Sequence, residues 1–227
     1  ADGYNATIFA YGQTGSGKTH TMTGEKGCPG VTPRAVRDLF GAIGRATRSQ
    51  DSVFLVHVSY VELYNNVFRN LLVEPSAATP PGTPTPSKIE IRESKDGGVF
   101  LSGPSDLKRS VKCERDVQQL VALGDRNRHY NSTNCNEHSS RSHCVLTLHV
   151  QSIDKGKQAS TVRFGKLNLV DLAGSERVSL SGAEGETLLE AQNINLSLAL
   201  LGDVLAALSR NAEKAEKRQA GGTPLQL

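Results

Sequence analysis

Gly12-Gln-Thr-Gly-Ser-Gly-Lys-Thr19 is the stretch that decides the fold. Its eight residues fill the pattern G-x-x-x-x-G-K-[ST] without a gap. The glycines let successive backbone N–H groups turn inward around an anion, an approach that bulkier side chains would obstruct. Lys18 adds a positive charge for the outer phosphates, and the Thr19 hydroxyl is a ligand type suited to Mg²⁺. The context fits the pattern. Ala6-Thr-Ile-Phe-Ala-Tyr11 is short, apolar and rich in β-formers, and so reads as a buried strand, while Lys18 to Met22 can open a helix whose N-terminus favours anions. A strand, a glycine loop and a helix in that order predict a site for a nucleoside triphosphate with Mg²⁺.

Further along the chain, strands and helices alternate. Thr32-Pro33 reads as an N-cap followed by proline at the first helical position, opening a helix to about Ala46. Ser52 to Leu63 reads as a long strand, Tyr64-Asn65-Asn66 as a turn, and Val67 to Val73 as a short apolar element. Residues 75–87 hold five of the nine prolines among Ser and Thr and read as a loop inserted into the domain. Three Thr-Pro steps there, at Thr79, Thr83 and Thr85, have the form of phosphorylation sites. Lys88 to Arg92 and Gly98 to Ser102 read as a hairpin, Glu114 to Gly124 as a helix, and Cys144 to Ile153 and Ser160 to Asp171 as strands. A long helix over about Glu184 to Arg210 comes last. The pattern predicts one α/β domain over residues 1–227, a central sheet with helices on both faces.

Composition narrows the function classes. With 227 residues, 37% hydrophobic and 22% charged, the chain can bury a sizeable core. A net charge of +3 is too mild to indicate nucleic acid as a partner. No apolar run reaches the roughly 18 residues that would suggest a membrane span. The four cysteines, Cys28, Cys113, Cys135 and Cys144, form no CxxC pair, which points away from zinc and disulfides and toward a reducing compartment, cytosolic or nuclear. The chain opens on Ala-Asp-Gly-Tyr-Asn and stops at Leu227 after a polar, charged loop, and reads as a larger domain cut at both ends.

Two further stretches carry chemistry. Asp171 ends an apolar strand, where a carboxylate can hold a water bound to Mg²⁺, and Gly174, three residues on, can offer a bare N–H to a γ-phosphate. Asn136-Glu-His-Ser-Ser-Arg-Ser-His143 gathers hydroxyls, an amide and a guanidinium just before a strand, groups able to ligate a metal, orient water or pair with phosphate. His138 and His143 lack a zinc-like spacing or an acidic cluster and read as structural.

In this order, Tyr11-Gly-Gln-Thr-Gly-Ser-Gly-Lys-Thr19, Asn136-x-x-Ser-Ser-Arg-Ser-His143 and Asp171-Leu-Ala-Gly-Ser-Glu-Arg177 resemble the phosphate loop, first switch and second switch of the kinesin motor domain. Gly124-Asp-Arg-Asn-Arg128, Thr133-Asn-Cys-Asn136, Gly182-Ala-Glu-Gly185 and Asn193-Ile-Asn195 extend the likeness over almost the whole chain. The resemblance implies a P-loop NTPase of kinesin type with a mixed sheet, acting as a microtubule-stimulated ATPase of the cytoplasm and cytoskeleton, dimeric through segments outside this chain. It implies that Gly12, Gln13, Thr14, Gly15, Ser16, Gly17, Lys18, Thr19 and His20 bind the nucleotide. Thr19 and Ser140 would sit on Mg²⁺, with Asp171 acting through water. Asn136, Ser139 and the Gly174 amide would surround the γ-phosphate, and Arg141 would latch onto Glu176 as the switches close. The long helix corresponds to the one kinesins lay on the microtubule.

The chain departs from the family pattern in places. Leu196 stands where kinesins commonly have Lys, and Asn66 and Asn70 stand where they often have Glu and Asp. The Arg-x-Arg-Pro segment beside the purine and the run after the long helix are absent from these 227 residues. The stretch Leu201–Leu208 is similar to C-terminal motor kinesins. An alternative is a microtubule- and nucleotide-binding protein without productive motility. An unrelated P-loop kinase or GTPase is disfavoured because no Asn-Lys-x-Asp guanine-reading motif is present and both switch-like stretches resemble those of kinesins. On the long helix, Leu188, Ala191, Ile194, Leu198, Leu201, Leu205 and Leu208 form one apolar stripe expected against the sheet. Leu189, Leu196, Leu200, Val204 and Ala207 form a second, expected to be exposed.

Overall fold

The strand before the glycine loop is β1 (Ala6–Ala10), and it lies parallel to β10 (Ser160–Asp171), with Ala10 opposite Asp171. The computed structural model describes residues 3–49, 52–74, 88–95, 98–132, 140–155, 160–176 and 186–220. These fall into two compact units, Ala1–Gly174 and Ser175–Leu227.

In the first unit, β10 continues antiparallel to β9 (His143–Lys155), which pairs with β4 (Ser52–Tyr64), which pairs in turn with β5 (Val67–Asn70). β8 (Arg109–Val111) adds to the same edge of β4. The sheet is therefore mixed: one parallel pair, the rest antiparallel. Three helices pack on it: α1 (Lys18–Thr23), α2 (Val31–Ser49) and α3 (Glu114–Ser132). Strand alternation sorts the side chains. Val56, Val58 and Tyr60 of β4 and Leu146, Leu148 and Val150 of β9 join Met22, Val36 and Val117 in the main core on the helix side. Val61 and Val145 point the other way and pack with Ile89, Leu101 and Leu107. That second face is covered in part by the hairpin of β6 (Glu90–Glu93) and β7 (Val99–Ser102) and by a 3-10 turn at Ser105–Leu107.

Several boundaries differ from the sequence reading. Helix α2 begins at Val31, so Thr32 lies inside the first turn and is not its N-cap. Between α1 and α2 the chain makes a two-residue ladder, β2 (Gly24–Glu25) with β3 (Cys28–Pro29), which the periodicity was too short to reveal. Helix α3 runs on to Ser132, a full two turns past Gly124. That glycine is required by close packing rather than by a turn: a Cβ there would meet the Tyr60 ring at 2.2 Å. The proline-rich insert lies outside the described residues.

The second unit is described through one helix, α4 (Glu186–Ala220). Of the second stripe, Leu196, Leu200 and Val204 are exposed as expected, and Ala207 is half-buried. The first stripe is half-buried at Ile194, Leu198 and Leu201 but exposed at Leu205 and Leu208, which corrects the expectation that it is covered throughout. Among the described residues of this unit, α4 has no second element on which to bury either stripe.

Candidate functional site

The site forms where adjacent strands end on the same edge of the sheet. Parallel pairing sends the chain out of β1 at Tyr11 and out of β10 at Leu172 side by side, with the Leu172 N–H 3.4 Å from the Ala10 carbonyl. Ligand sites in α/β sheets form outside the carboxyl ends of parallel strands for this reason. Because β9 is antiparallel to β10, its first residues arrive at that same edge, Cys144 opposite Asp171.

Across this edge the glycine loop is exposed from Gln13 to Gly17. Gly15 and Gly17 have φ of 77° and 86°, left-handed values that a Cβ would strain, and Gly17 is the N-terminal cap of α1. The first helical bond runs from the Thr21 N–H to the Gly17 carbonyl at 2.8 Å. Since α1 has only six residues, its dipole is small, and anion binding here rests mainly on the loop amides and on Lys18. The Lys18 ammonium donates to the Gly12 and Gln13 carbonyls at 2.8 and 2.9 Å, which tethers it to the start of its own loop.

Thr19 and Asp171 come together, although 152 residues separate them. The Thr19 hydroxyl donates to Asp171 Oδ2 at 2.8 Å. The same carboxylate oxygen accepts from Arg128 Nη1 at 3.1 Å. Asp171 Oδ1 is buried and has no hydrogen-bond partner among the described residues. With its proton directed to Asp171, Thr19 Oγ1 keeps its lone pairs for a cation, and Oδ1 is an acceptor suited to a metal-bound water. Hydroxyl and carboxylate oxygens suit a hard divalent cation. The described residues hold no group of three or more His, Cys, Asp or Glu able to bind a metal by themselves.

The segments named as switches are partly described. The Gly174 N–H donates to the Ser140 carbonyl at 2.7 Å, so it is engaged by protein here. The Ala173 N–H donates to His143 Nδ1 at 3.1 Å, which requires that nitrogen to be unprotonated. Burial lowers the His143 pKa, against an opposing pull from Asp171, and so keeps the ring neutral. His143 is thus structural in the geometry shown, pinning the segment after β10. Ser140 and Arg141 are half-buried, and Glu176, in the second unit, is exposed. Asn136, Ser139 and His138 lie outside the described residues. His20 is exposed on α1, 3.9 Å from Glu25.

The sequence reading gave no role to a buried polar group beneath this edge. Tyr60 donates to Asp125 Oδ1 at 2.9 Å, and burial raises its phenol pKa, so the proton stays in place. Burial also raises the Asp125 carboxyl, with the Tyr60 bond and Arg128 pulling the other way. Arg128 lies 3.9 Å from Glu62, which is fully buried, and Arg69 approaches Glu62 from the other side at 3.8 Å. Burial works against the Arg128 charge, yet its pKa is raised by Cys144, Tyr60 and Asp171. Burial pushes the Cys144 thiol up too, so at neutral pH the thiol and the phenol are uncharged. The clue was present in the strand: Glu62 follows Val56, Val58 and Tyr60 on the core-facing parity of β4, and a carboxylate there demands a cation.

Known proteins give the geometry a context. The family model described as the kinesin motor domain matches residues 1–220. Two rice proteins (Oryza sativa subsp. japonica) are similar: kinesin-like protein KIN-7L, 43% identical over 215 residues, and kinesin-like protein KIN-7I, 41% identical over 217. The matches cover 94% and 93% of this chain but only 31% and 17% of those proteins. A solved structure of a fast kinesin superposes with a TM-score of 0.75 at 36% identity, covering 92% of this chain and 56% of that one.

Proposed function

This chain belongs to the kinesin motor domain family, and from that membership we propose that it is the catalytic core of an ATP-driven microtubule motor. The observation that supports this reading most is the meeting of Thr19 with Asp171 below the glycine loop, which assembles a phosphate and cation site from distant parts of the chain. In this reading the loop from Gly12 to Thr19 wraps the phosphates, and Lys18 exchanges its loop carbonyls for phosphate oxygens. Thr19 and Ser140 would hold Mg²⁺, with Asp171 acting through water, and the bound cation would supply charge neutralisation for the outer phosphates. The Gly174 N–H gives up the Ser140 carbonyl for a γ-phosphate oxygen, Asn136 and Ser139 flank that group, and Arg141 closes onto Glu176. Rate then comes from positioning water and stabilising charge.

The partner is the microtubule, with location in the cytoplasm on the cytoskeleton, the spindle included, and dimerisation through segments beyond these residues. A kinship with the C-terminal motor group, suggested by Leu201–Leu208, gains no support from the two relatives named above, both KIN-7 kinesins. One observation favours a second reading, microtubule and nucleotide binding without productive movement. Leu196 is 59% exposed at the position where the family commonly carries Lys, and an exposed leucine offers no charge to an acidic filament.

Titration of a fluorescent ATP analogue into protein carrying the whole motor domain tests the site. Lys18→Ala should weaken binding by about 10-fold or more, as expected for loss of charged hydrogen bonds to phosphate. Wild-type affinity in that variant would remove the basis of the assignment.

A further inference from the structure

We propose that His143 is a positioning residue for the γ-phosphate contact, the fixed point from which the Gly174 amide turns between protein and nucleotide. The proposal rests on the ATP reading above, in which that amide leaves the Ser140 carbonyl for a phosphate oxygen. Its starting point is the run of three amides that follows the end of β10, each with a different acceptor. The Leu172 N–H lies 3.4 Å from the Ala10 carbonyl of β1. The Ala173 N–H donates to His143 Nδ1 at 3.1 Å, and the Gly174 N–H donates to the Ser140 carbonyl at 2.7 Å. The first belongs to the sheet edge, the last is the one exchanged, and the middle one is made by a side chain.

That side chain acts where the ladder has run out. Pairing between β9 and β10 stops at Cys144 opposite Asp171, and His143 is the residue before it, paired with Leu63 of β4 on its other side. Its ring therefore supplies one more link from β9 to the β10 chain. Ala173 is 0% exposed and His143 8%, so solvent is poorly placed to replace the acceptor, and a buried N–H without one is costly. An anchored N–H fixes the planar Leu172–Ala173 peptide. The Gly174 N–H belongs to the next plane, whose direction is then set by the two backbone torsions of Ala173. Ser140 and His143 stand three residues apart at the entry to β9, so one short segment holds both amides. When a phosphate oxygen takes the place of the Ser140 carbonyl, His143 still holds the neighbouring amide. The chain after β10 swings through one peptide plane and keeps its place on the sheet edge.

A merely structural histidine would set stability, or affinity for every nucleotide alike; a positioning one acts where a γ-phosphate is present. Titrations of a fluorescent ADP and of a non-hydrolysable ATP analogue separate the two in protein carrying the whole motor domain. His143→Leu removes the acceptor, and should weaken the ATP analogue about 10-fold, as for a buried donor that loses its partner. Affinity for ADP should stay within about twofold of the wild type, since the loop contacts are untouched. His143→Asn should restore most of the loss, because Asn Oδ1, like His Nδ1, is bonded to Cγ and can accept at the same reach. His143→Gln carries its oxygen one carbon farther out; it should behave like the leucine variant, and it remains readable if leucine does not fold. A loss shared equally by both nucleotides, an asparagine variant no better than glutamine, or wild-type affinities throughout would overturn the proposal and leave the nucleotide site standing. Wild-type protein that binds neither nucleotide would overturn the functional reading and this proposal with it.

Discussion

His149 shows how a position in the sheet sets a side chain's chemistry. It lies on the face of β9 away from the main core, with the Ser59 hydroxyl 3.1 Å from its Nε2. Burial, and then the charges of Lys108, Lys166 and His57, lower its pKa to about 4. The unfolded chain binds a proton at this residue near pH 6.5, whereas the folded protein resists it until about 4. Stability from this group is complete above pH 6.5 and is lost as pH falls toward 4, by at most about 3 kcal/mol before solvent at the ring edge reduces it. Melting temperatures of the wild type and His149→Gln should therefore converge on acidification across that window, and parallel curves would refute the assignment. Residues at this scale were unevenly legible in the sequence. Lys18 and Thr19 could be named because glycine spacing is a local constraint. Arg128 could not, because its role depends on α3 bringing it to Asp171, 43 positions away.

Among elements, the strands were the most legible and the turns the least. β10 ends at Asp171 in both the sequence reading and the structure, because an apolar run closed by a carboxylate marks where a strand leaves the core. The β2–β3 ladder and β8 escaped notice, since two or three residues carry no usable period. Thr32 was misread as a cap because Thr before Pro matches the usual cap-and-first-residue pattern, whereas α2 already begins at Val31. The switch segments leave one question of element coupling open to experiment. Ser140 and Gly174 are joined by backbone at 2.7 Å, and the proposed latch would add the side chains of Arg141 and Glu176 as the site closes. Arg141→Glu and Glu176→Arg should each lower ATP turnover by about 10-fold or more, and the double reversal should recover part of the loss, given a pairwise coupling of about 1–3 kcal/mol. Mild single variants together with a double variant that is no better would dismiss the latch.

For the whole molecule, the residues described are one part of a larger design. The chain spans about a third or less of the curated relatives it matches, so motility, cargo and assembly belong to proposals about the complete protein. What these residues contribute is a sheet edge where the glycine loop, Thr19, Asp171 and the Ser140 segment converge, and a long helix with exposed leucines. The central claim is that this edge turns over ATP under the control of a filament. Steady-state ATP hydrolysis by the full-length protein, with and without polymerised tubulin, tests it most directly. Hydrolysis should be slow in the protein alone and, on microtubules, reach the ordinary enzyme range of about 1 s⁻¹ or above, abolished in Lys18→Ala. Hydrolysis that is absent, or that is the same with and without the polymer, would contradict it.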